Sequence, residues 1–124
     1  MLAYLQGDPA GARVRALMED AERSGVPLLL NEVNAGEVFY MRAKTRSAAD
    51  AEHFLDLLPT WPIQLMHTVF DDVLAAARLK ARFPISYGDA FAAATALRAG
   101  ARLVTGDDEF HALDDIVDIV WLPS

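Results

Sequence analysis

The stretch from Ile85 to Phe110, ISYGDAFAAATALRAGARLVTGDDEF, constrains the fold more than any other part of the chain. It reads as a helix from Ser86 to about Ala99, opened by a serine and an acid and stopped by Gly100. A short buried strand, Arg102–Thr105, and a second cluster of acids follow at once. The small side chains of AFAAATA let such a helix lie close against a sheet. Asp89 then falls in the first turn of the helix and Asp107 just past the end of the strand. If helix and strand pack as neighbours, the two carboxylates converge at one edge of a sheet. Convergent carboxylates without a basic partner are what Mg²⁺ or Mn²⁺ requires.

The rest of the chain repeats this alternation. Helical patterns cover Pro9 to about Arg23, Asn31 to about Lys44, Ser47 to about Leu58 and Phe70 to about Arg82. Short apolar runs at Pro27–Leu30, Ile63–Met66 and Asp118–Leu122 read as strands. Helices separated by short apolar strands, with few hairpin signals, predict an α/β domain with a parallel sheet covered on both faces. At 124 residues, 53% hydrophobic and 23% charged, the chain has enough apolar material for one core, and residues 1–124 are read as a single domain. No apolar run approaches the length of a membrane span, and the opening residues lack the pattern of a secretory signal. The absence of cysteine removes disulfides, thiolate zinc sites and thiol nucleophiles, and fits a cytoplasmic protein. The net charge of −7 argues against holding nucleic acid by overall field alone, so such a role needs a local basic patch or bound divalent cations.

Each acid has a structural role to weigh against a chemical one. Ser86 and Asp89 form an S-x-x-D capping box, in which the carboxylate reaches back to the Ser86 amide. Asp107 can cap a short turn, yet it lies directly beyond a strand's carboxyl end, where α/β enzymes keep functional groups. Asp108 is its more solvated neighbour. Glu37 sits in the stripe of Val33, Tyr40 and Met41, where a carboxylate costs stability unless partnered. It could instead snorkel or pair with Arg42 or Lys44, and Asn34, one turn earlier, could orient it. Two basic clusters, Arg42, Lys44 and Arg46 and then Arg78, Lys80 and Arg82, are the only candidate phosphate contacts. His53, His67 and His111 have no zinc spacing, and no Walker, G-x-G-x-x-G or G-x-S-x-G motif is present. Trp61 and Trp121 read as packing residues.

The segments VNAGEVFY (33–40), ISYGDAFAAATA (85–96) and LVTGDDEF (103–110), with LAYLQGDPAG at the start, ARLKAR (77–82) and the closing VDIVWL, together resemble the PIN-domain ribonucleases, specifically the VapC-like toxins of toxin–antitoxin pairs. The resemblance implies a three-layer α/β/α fold with a short parallel sheet and Mg²⁺- or Mn²⁺-dependent hydrolysis of RNA phosphodiester bonds. It places the family's acids on Glu37, Asp89 and Asp107, with Asn34, Thr105 and Asp108 in supporting positions. It also implies a cognate antitoxin protein as partner, one that inserts a peptide near the acids, and a homodimer.

One departure stands out. The family begins with a strand ending in an aspartate, V-x-D-[TS], a few residues before an L-x-A-Y-L helix. Here Met1 falls within that helical motif, so the first strand and first aspartate are expected to be absent, and Asp8 is placed at the far end of the helix. Translation is expected to begin upstream of Met1, which the in-frame upstream DNA checks directly. Three acids hold Mg²⁺ less well than four, so this chain is expected to cleave RNA little by itself. The alternative is a non-catalytic PIN-like module that dimerises or binds an antitoxin-type partner. A phosphoacceptor receiver is disfavoured, lacking the acidic pair after the first strand and the lysine after a late one.

Overall fold

The computed structural model describes residues 2–123. Five strands, β1 (Ala3–Leu5), β2 (Leu28–Asn31), β3 (Ile63–Met66), β4 (Arg102–Thr105) and β5 (Ile119–Trp121), form one parallel sheet in the order β3–β2–β1–β4–β5. Helices α1 (Arg15–Ser24), α2 (Glu32–Thr45), α3 (Ala48–Leu57), α4 (Phe70–Arg82) and α5 (Tyr87–Ala99) connect and cover it.

Alternation along the strands builds two cores. Tyr4, Leu29 and Leu103 face the alanine-rich α5, together with Ala76 and Leu79 of α4. Ala3, Leu5, Leu28 and Val104 face the opposite way, toward Val14 and Ala21, with Leu17 and Met18 of α1 packed beside them. Eight consecutive residues of α5, Asp89 to Ala96, are buried, because small side chains let the helix press on the sheet along one side and on neighbouring helices along the other. The expected layering of helices on both faces of a parallel sheet is what forms. Three helix starts are those expected, Asn31, Ser47 and Ser86 each accepting a hydrogen bond from the backbone three residues on, whereas the helix expected from Pro9 begins only at Arg15 after a 3₁₀ turn at Ala12–Val14.

The first segment corrects the expectation. Ala3–Leu5 is not a helix; it is the central strand, paired with β2 on one side and β4 on the other. A three-residue apolar run cannot be assigned by periodicity. Here the two neighbouring strands decide it, by pairing its backbone on both sides. The chain leaves β1 through Gln6, whose amide bonds Val104 O at 2.9 Å, and then Gly7, at φ 127, a conformation that disfavours any side chain. Asp8 therefore lies just beyond the carboxyl end of β1, not at the far end of a helix.

Tyr4 ties β1 to α2. Its hydroxyl, fully buried, accepts from Asn31 N at 3.1 Å and donates to Asn34 Oδ1. Burial holds this phenol neutral well above the usual tyrosine range. Tyr4→Phe leaves both partners short of a bond in a dry site. It is expected to cost about 1–3 kcal/mol in urea unfolding with the fold retained; a loss below about 0.5 kcal/mol contradicts this account of the core.

Candidate metal centre

The chain runs from β1 out to β3 on one side, then returns to β4 and β5 on the other. The order reverses between β1 and β4, and the crevice at the carboxyl ends of such strands is where open α/β sheets bind ligands. A cleft of about 510 Å³ opens there, lined by Gln6, Asn34, Glu37, Asp89, Asp107 and Glu109 among others.

Ligand oxygens of Asp89, Asp107 and Glu109 lie within 4.8 Å of one another. Glu37 enters the same cleft from α2. Asn34 Nδ2 donates to Glu37 Oε1 at 2.8 Å and to Gly88 O at 2.9 Å, so it pins the carboxylate to the first turn of α5. A Cβ on Gly88 would collide with the Glu37 carboxylate; glycine at this position is what lets α2 and α5 bring their acids together.

The capping expectation is half met. Asp89 N donates to Ser86 Oγ at 3.2 Å, but the Ser86 amide donates to Glu109 and not to Asp89. Glu109 takes over the reciprocal half of the box. The Asp89 carboxylate is free to face the cleft, where Gln6 Nε2 donates to its Oδ1 at 3.2 Å. Asp107 takes the structural role weighed for it: its Oδ1 caps the following 3₁₀ turn by accepting from Glu109 N at 2.9 Å, and its own amide donates to Thr105 Oγ1 at 3.0 Å. Asp108 points to solvent beside His111.

Glu109 and Gln6 were not singled out in the sequence. Glu109 could have been found from the 3₁₀ turn after Asp107, which swings the second residue on, not the first, back toward α5. Gln6 was hidden by reading its segment as a helix. Arg42 also departs from expectation. It pairs with neither Glu37 nor a phosphate-facing surface, because Asp8 at 2.8 Å and Asp50 at 2.7 Å hold its guanidinium over the Phe54 ring. Lys80 is likewise engaged, donating to Ile85 O at 3.0 Å. Arg46 is exposed on the cleft wall and pairs with Asp50 at 3.6 Å. Trp61 packs against Phe54 and Trp121 stacks on His111, as expected of packing residues.

Among the described residues, Glu37, Asp89, Asp107 and Glu109 form no ion pair with a lysine, arginine or histidine. Each accepts a hydrogen bond within the protein through one carboxylate oxygen. Burial, then repulsion from Asp107, Glu109 and Glu37, pushes Asp89 up to about 7. An all-oxygen, uncompensated set of this kind fits a hard divalent cation and not zinc.

The family model described as PIN domain matches residues 1–116. The chain belongs to the PIN-domain family. Its fold is that of the VapC toxins: it is similar to a chain of VapBC from Salmonella typhimurium, solved bound to DNA, with 13% identity, a TM-score of 0.73 and coverage of 97% of this chain and 98% of that one. A chain of VapBC2 from Rickettsia felis, bound to a promoter DNA fragment, gives 15% identity and a TM-score of 0.67 over 98% and 100%. VapC20 of Mycobacterium tuberculosis, a toxin that cleaves the sarcin–ricin loop, gives 12% and 0.65 over 93% and 95%. No curated protein sequence matches the chain. In this PIN domain a strand, Ala3–Leu5, does occupy the centre of the sheet, and Gln6 follows it directly.

The raised Asp89 carboxyl has a definite consequence for stability. The fold favours its protonated form, so the contribution is full below the unfolded value near 4 and is lost as pH rises through about 7. Asp89→Asn cannot ionise. In metal-free buffer its stability relative to the wild type is expected to increase by on the order of 2 kcal/mol between pH 4 and pH 8. A constant difference across that window contradicts the unbalanced cluster.

Proposed function

We propose that this PIN domain is a Mg²⁺- or Mn²⁺-dependent endoribonuclease, the toxin of a toxin–antitoxin pair acting in the cytoplasm. The observation that carries the reading is the set of four carboxylates, Glu37, Asp89, Asp107 and Glu109, drawn into one cleft with no ion pair among the described residues. Glu37, Asp89 and Asp107 would hold the cation as the resemblance implies, and Glu109 adds a fourth acid that the three-acid expectation lacked. A bound divalent cation supplies water activation and neutralises charge on a phosphodiester.

The chain's own residues do the rest. Asn34 fixes Glu37, and the Ser86 amide fixes Glu109, so neither long side chain must be ordered at the moment of binding. Thr105 holds the backbone of Asp107. Arg46, exposed on the cleft wall beside Asp50, would meet a phosphate flanking the scissile one. RNA approach is otherwise opposed by the acidic cleft, so binding is expected to need the metal. An antitoxin partner and a homodimer fit the VapBC likeness and belong to the same proposal. They also suit the second reading, a non-catalytic module, which requires no metal.

With Mn²⁺, cleavage of a structured RNA is expected to be measurable, abolished by chelator and reduced at least ~100-fold in Asp89→Asn. Arg46→Ala is expected to weaken cleavage several-fold, chiefly through substrate binding. Cleavage unchanged in Asp89→Asn would sink the nuclease reading. A folded protein that binds a partner protein but neither Mn²⁺ nor RNA supports the non-catalytic one.

A further inference from the structure

Resting on the metal reading above, we propose that Gln6 is a positioning residue of the acidic site and that its neutral side chain sets the site's cation affinity. Gln6 follows the central strand at the point where the strand order reverses, the position from which a side chain reaches the middle of the cleft. Its amide is held at both ends. Thr105 Oγ1 donates to Gln6 Oε1 at 2.7 Å, which fixes the orientation of the amide, so its NH₂ group must face Asp89 Oδ1 at 3.2 Å. Its backbone amide is held by Val104 O.

The bridge has two effects. It gives the buried Asp89 a donor where all its other polar neighbours in the cluster are acids, so it orients that carboxylate. It also places a neutral group at the centre of the cleft, among four carboxylates. A glutamate of the same length keeps the Thr105 bond, since a carboxylate oxygen accepts as an amide oxygen does. It exchanges the donor facing Asp89 for a further anionic oxygen ligand, which hard cations favour. Gln6 thus sets the balance between a cluster that tolerates being metal-free and one that binds its cation tightly.

The test is Mn²⁺ calorimetry on the full chain, wild type beside Gln6→Glu and Gln6→Ala, with folding checked by circular dichroism. Gln6→Glu is expected to bind at least ~10-fold more tightly, and Gln6→Ala ~3- to 10-fold more weakly than the wild type. Wild-type binding with both variants unchanged within about twofold overturns the role of Gln6 and leaves the metal reading standing. No binding by folded wild type or by Gln6→Glu overturns both. Should a variant fail to fold, the wild type decides alone. Its Gln6 side-chain amide resonances are expected to shift during a Mg²⁺ titration with the midpoint seen for Asp89, and resonances that stay fixed while Asp89 moves overturn the proposal.

Discussion

Mutual repulsion among carboxylates is the force this structure is arranged to contain. Glu37, Asp89, Asp107 and Glu109 come from α2, α5 and the turn after β4, and none meets a positive side chain among the described residues. Such a cluster survives only where the framework is over-determined. The framework is β1, three buried residues at the centre of the sheet, whose pairing with β2 and β4 puts the carboxyl ends of the strands side by side. Tyr4, within that strand, and Gln6, just beyond its end, each reach one part of the acidic site. Tyr4 acts through Asn34 on Glu37, and Gln6 directly on Asp89.

The opposite end of the cleft shows how the charge is kept separate. Asp8 is close in sequence to Gln6 and lines the same cleft, but Arg42 claims it, with Asp50 and the Phe54 ring completing the enclosure. The strongest cation near the site is thereby spent on structural acids. Arg46, exposed on the cleft wall, pairs with the same Asp50 at 3.6 Å, and no positive side chain among the described residues offsets the four-acid cluster.

Much of this was legible in the residues. Apolar periodicity located β3, α4 and β4, and the serine and asparagine caps located the starts of α2, α3 and α5. Asp89 and Asp107 are legible because a carboxylate at a helix start or strand end is placed by local rules, and Glu37 because it interrupts an apolar helical stripe. What was not legible depended on non-local partners. Ala3–Leu5 is too short to declare itself a strand until β2 and β4 lie beside it. Glu109 enters the site because the turn after Asp107 curls back to the Ser86 amide, a contact across 23 residues. Arg42 left the list of phosphate contacts for the same reason: its two acidic partners are 34 and 8 residues away in the chain.

The central claim is that the four carboxylates form a divalent cation site, and calorimetric titration of the metal-free chain with Mn²⁺ tests it most directly. Saturable binding of one or two ions, lost in Asp89→Asn while circular dichroism stays unchanged, is the predicted result. A folded wild-type protein that takes up no Mn²⁺, or an Asp89→Asn variant that binds it as well as the wild type, would contradict the account.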